Sequence, residues 1–555
     1  MRRIIRFGLA AALGCLTANV SGLANAGDLP PAMPVKAPMQ AATDWSGFYL
    51  GLGVGMRSTQ PGVRVNEIAI NGVAGLATTC AVLASRGGCV TGQPLDDTAL
   101  RASFYSGFNW QFAPQWVVGI EGDYGYADKT TSLRGMEYPV STKLTGSAAD
   151  SFSVKTTWDA SARARIGYLP NPAVMLYATG GAAWLHIEST STCNLSINAL
   201  CSPNAGSGPF SISNSTTKLG WTIGGGIEAM LSPNWVARGE YRYADFGTIS
   251  NTDRRLLIGG GIEQVVSYDL HMKAHTATFG LAYKFGNSSP MTAMAYLPPA
   301  PAPAPSWGGI YAGLGLGARS THADAMVTSF MFGASNNFAT ACNFNNSFNG
   351  GCVTGAPLNG TTYKINPYAG YNWQVAPQWV LGIEGDWGFA DKKTTLAGMS
   401  YPLSGNPITG RAYDSFGIRT KWDASLRARA GYVVSPSVLV YATGGAAVLQ
   451  VESTSTCGTA INAFCQPNVV TGPLVVTHSK TLLGWTAGGG LETMLGSNWL
   501  ARAEYRYADF GRVSNTDVRT GPFPWGKTAG YDLHVRTHTA LLGIAYKFDG
   551  LTAAR

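Results

Sequence analysis

The sequence has few charged residues and no long apolar run, and both shortages exclude common classes of protein. Asp, Glu, Lys and Arg make up 13% of the 555 residues, about half the usual share of roughly 25%, which is too few to solvate a soluble enzyme of this size. No run of about 18 apolar residues is present, so the sequence predicts no membrane-spanning helix. The aromatic content of 11% is unlike that of a disordered chain. The remaining class is an all-β protein in which apolar residues alternate with small, polar and charged ones.

The first 26 residues have the pattern of a secretory signal peptide. Arginines at positions 2, 3 and 6 precede a short apolar segment at 9–20, and Ala-Asn-Ala at 24–26 forms a small-residue cleavage site. An anchoring helix is the weaker interpretation, because the apolar segment is too short to span a bilayer. Loss of the three arginines lowers the formal net charge from +8 to +5 (8 − 3 = 5), and no basic block suited to nucleic acid remains. The sequence therefore predicts an exported protein with no nucleic-acid partner.

The cysteines agree with export. Cys15 lies in the signal peptide, and the other eight of the nine cysteines fall into four close pairs. An even number of cysteines in an exported chain indicates disulfides; the connectivity is formally open, but proximity favours bridges within each pair. Metal binding is the weaker interpretation, because no CxxC pattern or nearby histidine set accompanies the pairs, and the sequence predicts no metal site and no cofactor. The predicted pairs are Cys80/Cys89, Cys193/Cys201, Cys342/Cys352 and Cys457/Cys465.

The chain is a tandem duplication. The segment WSGFYLGLG at 45–53 returns as WGGIYAGLG at 307–315, and EYRYADFG at 240–247 returns unchanged at 504–511. The offset is 262 residues for the first pair and 264 for the second, far longer than the roughly 20–50 residues of a solenoid repeat. Each repeat is therefore a whole domain.

Each repeat is predicted to form eight strands, because apolar and polar residues alternate over eight segments that exceed the roughly 9–11 residues needed to cross a bilayer. In the first repeat these segments lie near 46–58, 99–112, 115–127, 154–169, 173–188, 216–231, 234–246 and 271–285. Three tight turns alternate with long connections near 59–98, 128–153, 189–215 and 247–270. Short turns on one side and long extracellular loops on the other are typical of an outer-membrane barrel. The cysteine pairs fall in the first and third long loops of each repeat.

The predicted fold class is all-β, a transmembrane antiparallel up-and-down β-barrel, present as two tandem eight-stranded barrels. Every backbone amide must be paired in lipid, so each set of strands must close on itself. Two alternatives stay open: a soluble two-sheet sandwich, and a single sixteen-stranded porin with an aqueous channel. The predicted organisation is a signal peptide at 1–26, a Pro-rich periplasmic leader at 27–44, a first barrel at 45–285, a Pro-rich linker at 286–306, a second barrel at 307–548 and a C-terminal tail at 549–555.

Alternation also assigns a set of charged residues to the lumen of each barrel. Arg or Lys on the lipid face near the bilayer midplane would cost about 2–4 kcal/mol, and buried charges need partners. Each repeat supplies five acids and five bases, which predicts an ion-paired plug in a lumen that side chains can fill; a small gated pore is the alternative. The predicted set is Glu121, Asp123, Asp159, Arg163, Arg165, Glu228, Arg238, Glu240, Arg242 and Lys284, with Glu384, Asp386, Asp423, Arg427, Arg429, Glu492, Arg502, Glu504, Arg506 and Lys547 in the second repeat.

Two histidine rows in the final strands come nearest to a chemical site. His271, Lys273 and His275 share one face of a strand, as do positions 534, 536 and 538. The outer two of each row are about 13 Å apart, too far to hold one metal ion from one strand. Contact with lipopolysaccharide phosphates is one interpretation, and a solvated rim is the simpler one. Asp269 stands two residues before His271, but no nucleophile motif accompanies the pair, so the sequence predicts no catalytic activity.

The motifs resemble the alphaproteobacterial porin-like family of small eight-stranded outer-membrane β-barrel surface proteins. The resemblance is carried by GFYLGLGVG at 47–55, WVVGIEGD at 116–123, ARIGY at 164–168, ATGGAA at 178–183 and YKF at 283–285, each with a counterpart in the second repeat. It implies an integral protein of the Gram-negative cell outer membrane with a structural, envelope-integrity and surface role. The implied partners are outer-membrane lipid, lipopolysaccharide and the barrel-insertion machinery. A surface adhesin that acts through its extracellular loops is a further alternative, and the sequence names no surface ligand.

Overall fold

The computed structural model describes most of both repeats and none of the residues before position 44. The described residues are 44–74, 92–135, 138–139, 150–193, 210–257, 262–285, 306–332, 335–336, 354–399, 401, 414–458, 473–496, 498–519 and 527–548. None of these residues belongs to a helix that is long and apolar enough to cross a membrane. The predicted signal peptide, leader, linker and tail lie outside the described residues, apart from Asp44 and Ser306, so their assignments stay predictions.

The strands of the first repeat form one closed antiparallel sheet. They are β1 (Gly47–Ile70), β2 (Val73–Ala74), β3 (Gly92–Pro94), β4 (Asp97–Ala113), β5 (Trp116–Arg134), β6 (Ser151–Asn171), β7 (Val174–Cys193), β8 (Phe210–Met230), β9 (Trp235–Leu257) and β10 (Ile262–Lys284). The eight long strands pair with their neighbours in sequence order, and β10 pairs with β1 to close the ring. Gly53, for example, lies opposite Gly280 on one side and Ser103 on the other.

The second repeat has the same topology. Its strands are β11 (Gly309–Phe332), β12 (Ser335–Asn336), β13 (Gly355–Pro357), β14 (Gly360–Ala376), β15 (Trp379–Ala397), β16 (Ser415–Ser435), β17 (Val438–Cys457), β18 (Leu474–Met494), β19 (Trp499–Arg519) and β20 (Lys527–Phe548). Strand β20 pairs with β11, so this ring also closes on itself. Two separate closures confirm two eight-stranded barrels, and both the single sixteen-stranded barrel and the open sandwich are wrong.

Several predicted loops are instead strand. Residues 59–70 of the predicted loop 59–98 belong to β1, and residues 247–257 and 262–270 of the predicted loop 247–270 belong to β9 and β10, because these strands continue far beyond the apolar band. Alternation persists in these extensions, but its polarity is reversed. Strand ends predicted from apolar residues on the lipid face therefore fall short of the ends in the structure.

The reversal of polarity divides each barrel into a turn-side half, next to the tight turns, and a loop-side half, next to the long loops. Strand β10 illustrates both halves. In the turn-side half of β10, Leu281 and Tyr283 point outward and are 44% and 38% exposed. These side chains belong to the apolar belt that is expected to face lipid. In its first part Tyr268, Leu270 and Met272 point inward and are buried. Two apolar clusters of this kind, one per barrel, fill the loop-side halves of the lumens. The loop-side half is thus built like a soluble barrel, with its apolar face inside.

Candidate functional site

The charged residues on the turn-side strands meet inside the lumen. In the first barrel Glu121 on β5 is the centre of the layer of ion pairs that lies nearer the turns. It accepts hydrogen bonds from Arg163, from Arg238 at 3.2 Å, from Arg165 at 3.4 Å and from the Tyr49 hydroxyl at 2.7 Å. All of these groups are buried. Neighbouring strands bring them together because residues of one face project into the same narrow space.

Two further acids of this layer complete its pairing. The nitrogen Nη2 of Arg165 lies 2.9 Å from Glu228, and Arg163 lies 3.1 Å from Glu240. Glu240 also accepts the hydroxyl of Tyr177 at 2.7 Å. Each carboxylate therefore has at least one arginine partner within reach of a charge-assisted hydrogen bond.

A second layer lies next to the first, toward the loop side. Asp123 accepts from Arg101 at 2.6 Å and from Arg242 at 2.7 Å. Asp159 accepts from Arg57 at 2.5 Å and from Arg101 at 2.6 Å. Arg57 and Arg101 were absent from the predicted set. The strand period of two could have identified them. Arg101 lies on the same inward face as Ser103, and Arg57 continues the inward row of glycines at 51, 53 and 55.

The second barrel repeats both layers with one substitution. Glu384 accepts from Arg427 and from Arg502 at 2.6 Å, and the hydroxyl of Tyr311 donates to it at 2.8 Å. Asp423 accepts from Arg319 at 2.5 Å and from the ammonium of Lys364, which stands where the first barrel has Arg101. Glu492, Glu504 and Asp386 are paired with Arg429, Arg427 and Arg506.

The two predicted lumen lysines lie outside these layers. Lys284 donates to the backbone oxygens of Asp44 and Ser46, and Lys547 donates to the oxygen of Ser306 at 2.6 Å. Lys284 is the last residue of β10 and Lys547 is the second-last residue of β20, so both reach the segment that enters their barrel. The place of these two lysines in the ion-pair network stays a prediction. In the two layers of the first barrel, six arginines are paired with five acids.

An aromatic side chain fills the turn-side end of each lumen. Trp45 is 1% exposed, and its indole Nε1 donates to the oxygen of Pro172 at 3.0 Å. Its backbone nitrogen donates to Gln111 at 3.0 Å. Trp307 occupies the equivalent place in the second barrel and is also 1% exposed.

A tyrosine from the connection after β5 lies in the loop-side half of the first lumen. Tyr138 lies in the apolar cluster, and its hydroxyl donates to Asp253 at 2.7 Å while Arg255 donates to Tyr138 at 2.8 Å. Burial raises the pKa of Tyr138, so the hydroxyl stays protonated as a donor. In the second barrel Tyr401 donates to Asp517 at 2.7 Å.

Between the ion pairs and the apolar cluster of the first barrel lies a small cavity. Its volume is about 20 Å³, and Arg57, Asp159 and Arg242 line one side of it. This volume holds about one water molecule. The arrangement can therefore hold the barrel walls together and hydrate a buried ion pair.

The histidine rows do not form the Asp–His pairs that the spacing allows. Asp269 accepts from Ser250 at 2.6 Å, and His271 contacts Thr248 at 3.2 Å instead. In the second barrel Asp532 accepts from Ser514 at 2.7 Å. Asp269 and His271 lie on one face of β10, and each contacts the neighbouring strand. The histidines approach other aspartates, with His271 3.7 Å from Asp245 and His534 3.1 Å from Asp509. Among the residues described here, no group of three or more His, Cys, Asp and Glu is placed to hold a metal.

Only two of the eight paired cysteines lie in the described part of the chain. Cys193 and Cys457 end β7 and β17 and are disulfide-bonded. Both lie at the loop-side end of a strand, where the strand enters a long loop. This position agrees with the prediction that the bridges lie in the long loops. The pairing inferred from proximity stays a prediction, because the remaining members of the four pairs lie outside the described residues. These members are Cys80, Cys89, Cys201, Cys342, Cys352 and Cys465.

Comparisons with known proteins match the architecture. Residues 31–285 and 291–548 each match the family model of the outer membrane protein beta-barrel domain. The 31 kDa outer-membrane immunogenic protein of Brucella melitensis is 31% identical over 180 residues, which are 32% of this chain and 64% of that protein. This chain thus matches less than two thirds of that relative's length.

Two further similarities have lower sequence identity. The 22 kDa outer membrane protein of Rhizobium leguminosarum is 26% identical over 211 residues, which are 38% of this chain and 69% of that protein. Among solved structures, the attachment invasion locus protein Ail of Yersinia pestis is 18% identical, with a TM-score of 0.21, over 43% of this chain and 99% of that one.

Proposed function

Because this chain belongs to the outer membrane protein beta-barrel domain family, we propose that it is a structural component of the outer membrane whose two lumens are closed to solutes. The observation that carries the proposal is the series of closures inside each barrel. A buried tryptophan fills the turn-side end, two layers of ion pairs follow, and an apolar cluster with its tyrosine fills the loop-side half. The role is envelope integrity and surface structure, without catalysis.

The energetics of the ion pairs favour the closed state. Each lumen arginine has been removed from water, and loss of one partner from a buried pair costs about 3–5 kcal/mol. Opening a path would separate several pairs at once, since Glu121 alone has three arginine partners. Rearrangement into a conducting state is therefore expensive unless new partners replace the old ones.

The test is the single-channel conductance of the refolded, oxidised protein in a planar bilayer. Closed lumens predict no steady conductance. A large and steady conductance would contradict the proposal and would favour passive diffusion instead. Insertion must be verified in the same sample by the resistance of the barrels to added protease, so that failed insertion is not mistaken for a closed lumen.

The outer-membrane location places lipid and lipopolysaccharide around the barrels, and the outward basic residues are suited to lipopolysaccharide phosphates. The His271 side chain is 44% exposed above the apolar belt, next to Lys273. Weaker lipopolysaccharide retention by a His271→Ala/Lys273→Ala variant is the expected result, and unchanged retention would remove this partner. His275 does not belong to this exposed row, because it is 7% exposed.

A further inference from the structure

The outer walls of the two barrels contact each other through matched polar residues. The hydroxyl of Ser58 lies 2.6 Å from that of Thr361, and the hydroxyl of Thr98 lies 2.7 Å from that of Ser320. Ser58 and Thr98 lie opposite each other on β1 and β4, and Ser320 and Thr361 do so on β11 and β14. Each barrel thus presents the same two positions to its partner, which is the pattern of a two-fold interface.

The apolar part of the contact follows the same two-fold pattern. Val174 and Ile227 of the first barrel pack against Ala501 of the second. Their equivalents Val438 and Leu491 pack against Ala237 of the first barrel. These side chains point away from their own lumens, where other barrel positions face lipid.

Small residues let the walls approach closely at the centre. Gly239 on β9 is buried although it points outward, and a Cβ atom added there would overlap the Cβ of Ala503 on β19. Ala503 occupies the repeat position equivalent to Gly239 and is 3% exposed. By contrast, the outward Ile223 on β8 is 58% exposed. Close approach of this kind is how protein surfaces gain van der Waals contact inside a bilayer, where apolar burial alone gives no drive for association.

Two outward histidines are covered by the contact. The Nδ1 atom of His275 lies 2.7 Å from the hydroxyl of Tyr241, and His538 makes the same contact with Tyr505. These four residues line a cavity of about 30 Å³ between the barrels, together with the serine and threonine pairs. A polar side chain facing hydrocarbon without a partner is unfavourable, and pairing of the barrels removes these groups from lipid.

We infer that the two barrels are paired side by side in the membrane as a fused dimer, rather than joined only by the 286–306 linker. The partner of each outer wall is the second repeat of the same chain. Hydrogen bonds extend the contact to both ends, from Asn171 to the oxygen of Met494 at 2.6 Å and from Gln93 to the oxygen of Ala397 at 2.6 Å. The pairing does not depend on whether either lumen conducts.

The test uses the full chain with a protease site inserted into the 286–306 linker. After membrane insertion the linker is cut, and the halves are followed on a gel without reductant. Ser58→Cys/Thr361→Cys should keep the halves joined, because the parent side chains touch. The matched control is Tyr124→Cys/Trp387→Cys, at outward positions that are each 50% exposed. No more joining than in the control, or than in the cut chain without the added cysteines, would overturn the inference.

A second variant tests the close approach independently. Gly239→Leu should separate the cut halves in mild detergent, whereas Gly122→Leu should not, because a Cβ at the outward Gly122 meets no neighbouring atom closer than 3.7 Å. Heat-dependent mobility of each half on the same gel reports whether the barrels are folded. Folded halves that stay together in Gly239→Leu would contradict the proposed contact, and folded halves that separate would support it.

Discussion

Arg57 and Asp159 form an ion pair 2.5 Å long between β1 and β6, across the lumen of the first barrel. The pair lies at the boundary between two environments, with ion pairs on its turn side and the apolar cluster on its loop side. Arg57 also donates to the oxygen of Ala127 at 2.7 Å. A single arginine thus joins three strands at the height where the polarity of the walls reverses.

Removal of Glu121 should destabilise the first barrel strongly. Glu121→Ala leaves Arg163, Arg165 and Arg238 without their shared partner, and breaking a buried pair costs about 3–5 kcal/mol. The measurement is the urea dependence of unfolding from lipid vesicles. Glu263→Ala is the control, since its pair with Arg254 is exposed and is worth about 0–1 kcal/mol. Equal effects of the two substitutions would show that the lumen pairs do not hold the barrel together.

Gly51 should tolerate no side chain. A Cβ at this inward position would overlap the ring of Tyr105, so Gly51→Ala forces the ring or the strand to shift at a cost of about 1–3 kcal/mol. Gly122→Ala, on the outer wall, is the matched control. The yield of folded barrel on refolding into detergent measures the difference. Similar yields would mean that the lumen is less tightly packed than the structure shows.

Opening the two ends of the first lumen should leave it closed to ions. Trp45→Ala/Tyr138→Ala removes the aromatic residues at both ends, but the ion pairs of Glu121 and Asp123 remain between them. We expect no steady conductance from this variant in a planar bilayer. Steady openings would place the closure at the ends rather than in the charged layers.

The contact between the barrels should be stronger in mild acid. Asp96 lies between β3 and β4, 3.8 Å from Lys392 of the other barrel, and burial raises its pKa to about 6 while Lys392 acts against the rise. A free aspartate titrates near 3.9. We expect separation of the barrels to return Asp96 to water and its pKa toward that value, so that the paired barrels bind this proton more tightly. The resulting stabilisation is complete below about pH 4 and is lost as the pH rises through about 6.

The measurement for Asp96 is the concentration of harsh detergent that separates the linker-cut halves at pH 5 and at pH 7.5. Separation should need more detergent at pH 5. Asp96→Asn should remove the difference, because the amide does not titrate. The neighbouring Asp97, which faces Lys129 and His322, remains in both proteins. A pH dependence that persists in Asp96→Asn would assign it to another group.

Most of the barrel could be predicted from the sequence, because membrane strands are read from a local period of two. The turns, the strand number, the duplication and the inward placement of Glu121, Arg163 and Arg242 all follow from short stretches of chain. Arg57 and Arg101 were missed although the same period marks them, because they stand where the apolar alternation fades. The contacts of Lys284 with the backbone of Asp44 and Ser46 could not be predicted, because the period gives a face but not a height along the barrel.

Local sequence determined the fold class. Strands in lipid must pair into a closed sheet, and the alternation indicates which residues face the lipid. The tertiary structure alone decided which charges meet, because partners such as Arg57 and Asp159 are 102 residues apart and come together only when the ring closes. It also decided that outward positions such as Ser58 and Gly239 face the other barrel rather than lipid. Alternation cannot separate these cases, because lipid and a neighbouring barrel cover the same face of a strand.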